Sequence, residues 1–170
     1  MKASTTIRHE QLSDIDAIEI LTTAAFLDMP YSSHTEQFIV NALRKTGRLT
    51  LSLVAVENGD IIGHIAISPI SISATASGWF GLGPLSVTPA RQREGIGGEL
   101  VKEALAHLKR DGAAGCVVLG DPGYYGRFGF RPESALTLPG VPAEYFQALA
   151  FSEKVPAGTV SFDEAFDARA

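Results

Sequence analysis

The chain has 170 residues, with 45% hydrophobic and 19% charged residues and a formal net charge of −5. That balance excludes a disordered chain and argues against a general binder of nucleic acid or anionic membrane, either of which needs a basic surplus. One cysteine, Cys116, rules out an intrachain disulfide, and the lack of a leader-like start or a long apolar run points to a cytoplasmic protein without a membrane span.

In chain order, Thr5–Arg8 reads as a first strand. Ser13 with Asp16 resembles a capping box, and Ile15, Ile18, Thr22 and Phe26 then fall on one helical face. That helix should stop near Met29-Pro30, because proline disfavours a helical residue before it. A second box at Ser33–Glu36 opens a helix whose apolar face is Phe38, Ile39, Ala42 and Leu43, with Gly47 as its stop.

Strand character follows from Leu49 to Val56 and from Ile61 to Ile67. Between them Glu57-Asn58-Gly59-Asp60 is a hairpin signal, since Asn-Gly suits the positive φ angles of a type I′ turn. Ile70–Ser73 is expected to continue the second strand, and Ala74–Gly78 to form a turn. Trp79–Val87 is the next strand, interrupted by Gly81, Gly83 and Pro84, where glycine marks a bulge or close approach and proline removes a ladder donor. Gly95–Asp111 is the best helix, with Leu100, Val101, Ala104, Leu105 and Leu108 as its buried stripe and Gly112 as its cap. Gly115–Leu119 is almost wholly apolar, as suits a buried parallel neighbour. Two short strands are expected near Tyr145–Phe151 and Gly158–Phe162. No repeat or linker separates a second domain, so residues 1–170 read as one domain.

The stretch from Leu85 to Gly98 concentrates the chemistry. A strand stops at Pro89, a basic and glycine-punctuated turn follows, and the best helix begins. Such a turn aims backbone N–H groups and the positive end of a helix dipole at one place, which suits a phosphorylated ligand. It fits neither the Walker pattern nor the dinucleotide fingerprint, where Leu100 stands at the third glycine.

Gln92-Arg93-Glu94-Gly95-Ile96-Gly97 resembles the Q/R-x-x-G-x-G/A signature of the GNAT superfamily of N-acetyltransferases, and Tyr125–Phe130 resembles its later Y-x-x-x-G-F signature. The wording around Gly83–Val87, Gly115–Pro122 and Leu138–Pro142 is similar to the YhbS-like branch. The resemblance covers most of the chain and is strongest from Gly81 to Phe146. It implies an α/β (α+β) fold: a central mixed, mostly antiparallel sheet of six or seven strands with a splayed middle, and helices on both faces. It implies acetyl-CoA as co-substrate and no metal. The backbone of Leu85, Ser86 and Val87 would pair with the pantetheine arm, the Gly83-Pro84 irregularity helping to splay the sheet. The turn amides through Gln92, Arg93, Gly95, Ile96, Gly97 and Gly98 would hold the pyrophosphate, with Glu94 and Glu99 pointing away. Tyr125 would protonate the leaving thiolate.

The resemblance makes the protein an N-acetyltransferase acting on a primary amine in a ternary complex; the alternative is a non-catalytic acyl-CoA sensor. The acceptor would be a small molecule or peptide rather than nucleic acid or membrane, and a homodimer is compatible with the sequence. For the base that takes the amine's proton, Glu57, His64, Asp121 and the His34/Glu36 pair stay open beside a water relay. His64 in a strand reads first as structural, Asp121 as a turn former, and Cys116 as buried and inert.

Overall fold

The computed structural model describes residues 4–73, 76–152 and 154–170. In chain order it contains β1 (Thr6–His9), α1 (Ile15–Phe26), α2 (Glu36–Lys45), β2 (Leu51–Glu57), β3 (Asp60–Pro69), β4 (Ser71–Ile72), β5 (Trp79–Val87), α3 (Ile96–Arg110), β6 (Gly115–Leu119), α4 (Pro122–Tyr125), β7 (Leu136–Thr137), β8 (Phe146–Ala150) and β9 (Gly158–Ser161). Six strands form one sheet in the order β1-β2-β3-β5-β6-β8, and β4, β9 and β7 form a second of three. The larger sheet is mixed. β1–β2, β2–β3 and β6–β8 are antiparallel, and β5–β6 is parallel. The β5–β6 ladder runs from Trp79–Gly115 to Leu82–Val118 and ends before β5 reaches Val87.

Two compact units make up the chain. The first comprises Met1–Ile67, Gly83–Ala104 and Glu164–Ala170, and the second Ser68–Leu82 and Leu105–Asp163. In the first unit, the β2–β3 hairpin closes through Asn58 at φ 52° and Gly59 at φ 81°, the pair of positive angles that the Asn-Gly signal demands. Ile18 of α1, Val40 of α2 and Val54 of β2 pack together. Gly63 of β3 lets α3 come close: a Cβ there would lie 2.9 Å from Leu100 and 3.0 Å from Ile96. The second unit is built on an apolar cluster of Ile72, Trp79, Val117, Leu136, Phe146, Ala148 and Val160. Each of its Val, Leu, Ile and Phe side chains contributes about 1.5–3 kcal/mol on burial.

Several elements differ from the sequence expectation. The capping carboxylate ahead of α1 is Asp14 rather than Asp16: it accepts from the Gln11 N–H at 2.7 Å and from Arg8 at 2.7 Å. The α1 stripe is Ile18, Leu21, Thr22 and Ala25, and the helix ends at Phe26. Ahead of α2 the polar lock is shifted by one residue, with Ser32 Oγ donating to the Glu36 carboxylate at 2.7 Å. Val40 takes the buried place expected for Phe38 and Ala42. Ile70–Ser73 does not extend β3; its Ser71–Ile72 pairs with β9 instead. Of the expected Ala74–Gly78 turn, residues 74 and 75 lie outside the described residues. β5 and β6 fall where expected, and α3 buries its anticipated stripe and ends at Gly112 with φ 84°.

Candidate active site

Nine of the ten residues singled out for the site lie in the first unit, along one continuous path. β5 delivers Leu85, Ser86 and Val87, with Ser86 buried. The strand stays on the sheet through Thr88, whose N–H donates to the Ile62 carbonyl at 2.9 Å. A single 3-10 turn over Pro89–Arg91 then reverses the chain. Gln92 folds back, its Nε2 donating to the Val87 carbonyl at 3.1 Å, so its side chain fastens the turn to the strand end. Arg93 at φ 66° and Gly95 at φ 91° both take left-handed backbone. At Gly95 a Cβ would meet nothing within 4 Å, so backbone angle and not space calls for glycine there.

α3 opens with the Glu99 N–H donating to the Gly95 carbonyl at 3.1 Å. The N–H groups of Ile96, Gly97 and Gly98 precede that bond with no backbone acceptor among the described residues, and they carry the positive end of the helix dipole. Arg91 is already committed. Its guanidinium lies 2.8 Å from Glu57 Oε2 and 3.1 Å from Glu94 Oε1, and the hydrogen bond to Glu57 does most to hold its proton on. Glu94 is thereby drawn to Arg91, and exposed Glu99 lies 3.9 Å from Lys102. Arg93 has no ion pair among the described residues, which leaves its charge available to an incoming anion.

Tyr125, the tenth residue, belongs to the second unit. Asp121 caps α4 by accepting from the Gly123 N–H at 3.1 Å, so it serves the turn role read from Asp-Pro. Tyr125 ends that helix and lies over Gly120, where a Cβ would stand 2.5 Å from its ring. Tyr124 and Phe130 meet it edge-on at 4.9 and 6.0 Å between centroids. Burial pushes the Tyr125 hydroxyl well above the usual tyrosine range, helped by Tyr124 and Cys116. The hydroxyl therefore keeps its proton at neutral pH, and no hydrogen bond to a described residue claims it. Burial raises the Cys116 thiol likewise, which makes it inert.

The candidates for the base separate clearly. Glu57 is held by Arg91, Glu36 by Ser32, and the His34 ring faces the Leu27 carbonyl at 3.1 Å. His64 is fully buried, its Nε2 lies 2.7 Å from Ser52 Oγ, and its Nδ1 has no partner among the described residues. Sequence reasoning missed what stands behind it. Ser52 Oγ donates to Glu10 Oε1 at 2.5 Å, and Arg44 grips Glu10 through two contacts of 2.8 Å. Among the described residues no group of three or more His, Cys, Asp or Glu could hold a metal ion, and no helix is long and apolar enough to cross a membrane.

Residues 49–132 match the acetyltransferase (GNAT) domain model. A GNAT-family acetyltransferase from Brucella melitensis, solved in complex with acetyl-CoA, is 49% identical, with a TM-score of 0.87 over 98% of this chain and 100% of that one. The chain belongs to the GNAT family. YhbS of Escherichia coli, a GNAT-family N-acetyltransferase solved in complex with CoA, superposes with a TM-score of 0.89 at 32% identity, over 98% of this chain and 94% of that one. In sequence, YhbS of strain K12 is 40% identical over 108 residues, which span 63% of this chain and 65% of that protein's length.

Proposed function

We propose that residues 1–170 act as one acetyl-CoA-dependent N-acetyltransferase domain, moving an acetyl group to a primary amine by direct transfer in a ternary complex. The observation that carries this reading is the Gln92–Gly98 turn: unspent amides at the start of α3, beside an uncommitted Arg93, next to a strand whose β6 ladder ends before Leu85. The coenzyme complexes of the Brucella melitensis and Escherichia coli relatives support it.

Coenzyme A supplies the activated acetyl thioester. The N–H groups of Gly95, Ile96, Gly97 and Gly98, with Arg93, bind its pyrophosphate, and the helix dipole adds to their pull. Gln92 holds the turn in place from the strand end. The backbone of Leu85, Ser86 and Val87 aligns the pantetheine arm as a neighbouring strand would. Tyr125 holds a proton at its hydroxyl for the leaving thiolate, because burial keeps that hydroxyl neutral. The acceptor is a small-molecule or peptide amine; the net charge of −5 disfavours nucleic acid and anionic membrane as partners. A cytoplasmic setting suits a chain whose one thiol, Cys116, is buried and free.

Isothermal titration tests the reading. Acetyl-CoA should bind, and Gly95→Ala should weaken it about tenfold, because an L-residue at φ 91° is strained by about 1–2 kcal/mol and the turn relaxes out of shape. No acetyl-CoA binding at millimolar concentration would sink the proposal.

A further inference from the structure

Inside the first unit a line of polar groups leads from the surface into the sheet. It begins at a cleft of about 270 Å³ lined by Glu10, Arg44, Thr50 and Ser52 among others. Arg44 Nε and Nη2 donate to Glu10, Ser52 Oγ donates to Glu10 Oε1 at 2.5 Å, and Ser52 Oγ stands 2.7 Å from His64 Nε2. An ionised carboxylate can only accept. Ser52 therefore spends its proton on Glu10, and its oxygen accepts from His64 Nε2–H. That order fixes the tautomer: the lone pair of His64 sits on Nδ1.

Nδ1 is buried and meets no donor, although His64 is fully enclosed. The neighbouring strand carries a second orphan. Thr88 N–H bonds to the Ile62 carbonyl at one end of β3–β5, and Ile70 N–H to the Trp79 carbonyl at the other, so the two strands run antiparallel. Counting two residues inward from the Thr88–Ile62 bond puts Ser86 opposite His64. Ser86 Oγ is likewise buried without a partner among the described residues. A buried polar atom without a partner is costly, and a water or an amine N–H that reached both would satisfy them. Ser86 also belongs to the strand assigned above to the pantetheine arm. Among the described residues, the groups beside His64 are Ser52 and Val54 of β2 and two charges, Glu10 after β1 and Arg44 of α2, and the count from the Thr88–Ile62 bond puts Ser86 of β5 opposite it.

We propose that His64 takes the proton of the acceptor amine, directly or through one water at Ser86, and relays it through Ser52 and Glu10 to solvent in the cleft beside Arg44. This inference rests on the acetyltransfer reading. In the step, an ammonium N–H bond breaks as Nδ1–H forms. The Nε2–H bond breaks as a new Ser52 O–H forms, and the old Ser52 O–H breaks as Glu10 gains the proton. The ammonium and the carboxylate end neutral, and the imidazole changes tautomer without keeping a charge. When product leaves, water entering the site takes the Nδ1 proton and returns one to Nε2, which restores the tautomer with no proton drawn back from the cleft. Burial pushes His64 down to about 4, so the imidazole is neutral at pH 7 and its Nδ1 lone pair is free. Arg44 and Ser52 hold the Glu10 carboxyl below the usual range against the opposing effect of its burial, so it sheds the proton readily.

Two readouts test the relay. In the ligand-free protein, ¹⁵N shifts of His64 should report a protonated Nε2 and a bare Nδ1; the opposite tautomer overturns the relay whatever the turnover. Thiol release is then followed with acetyl-CoA and butylamine, benzylamine, spermidine or a lysine peptide, using whichever amine reacts fastest. His64→Gln keeps an N–H toward Ser52 but removes the base, and Ser52→Ala cuts the relay while leaving His64. Both should lower kcat/KM for the amine about 10²-fold at pH 7 and come within about threefold of wild type near pH 10, where the amine sheds its own proton. Acetyl-CoA affinity should hold. No loss, or an equal loss at every pH, overturns the relay alone. No release by the wild-type protein with any of these amines overturns the enzymatic reading and the relay with it.

Discussion

The two units bury ionisable groups with opposite results. In the second, desolvation raises Tyr125 and Cys116, so both keep their protons. In the first, desolvation lowers His64, and hydrogen bonds from Arg44 and Ser52 outweigh burial at Glu10, so neither takes up a further proton. One physical cause, the expulsion of water, thus keeps Tyr125 as a neutral, protonated hydroxyl in one region and His64 as a neutral imidazole with a free lone pair in the other. The sign follows from which form of each group carries charge. An acyl transfer between a thioester and an ammonium needs both kinds.

The comparison breaks most visibly at Arg44. Its side chain and that of Glu10 are 18% and 16% exposed. Arg44→Met leaves the carboxylate inside without its cation, so urea unfolding should show a loss of about 3 kcal/mol. If stability is unchanged, the pair does not hold the first unit's polar line together. Next in size is Tyr125→Phe, which removes the proton the second unit keeps. Its kcat should fall about 10²-fold with acetyl-CoA affinity preserved; full turnover from pH 7 to pH 10 would take Tyr125 out of the acid role. A third effect lies in the acid limb of stability. His64 has a folded value of about 4 against an ordinary 6.5, so the unfolded chain binds the extra proton. The stability this contributes is complete above pH 6.5 and is lost as pH falls toward 4. The urea midpoint of the wild-type protein should decline over that window, and His64→Gln should flatten the part between pH 6.5 and 5, where the carboxylates titrate least.

The sequence showed its local devices plainly. Asn58-Gly59 declared the hairpin, the apolar run at Gly115–Leu119 declared a buried parallel strand, and the spacing from Leu100 to Leu108 declared α3. The turn after β5 was legible for the same reason, since all its parts lie within one short stretch. β4 and β7 were not, because two-residue strands have no period to read and are fixed by their partner β9. α4 is a single turn set by the Asp121 cap, and it hid behind Pro122 and Gly123. The polar line was invisible for a different reason. Glu10 reaches Arg44 across 34 positions and Ser52 across 42, and no pattern in a single sequence links such residues. His64 therefore looked like an ordinary strand histidine until its neighbours were in place.

Arg91 has a consequence for how the turn responds to its surroundings. With Glu57 and Glu94 both at its guanidinium, Arg91 offers no positive field of its own, and Arg93 is the cation of the turn that has no ion pair among the described residues. Attraction then comes mainly from amide dipoles at contact range, which dissolved ions screen poorly, rather than from a long-range cationic basin. Capture of the coenzyme should accordingly change little between dilute buffer and concentrated salt. Selectivity over other phosphorylated metabolites falls to the shape of the turn and to the strand that receives the arm, and crowding by abundant nucleotides becomes a weak form of competition.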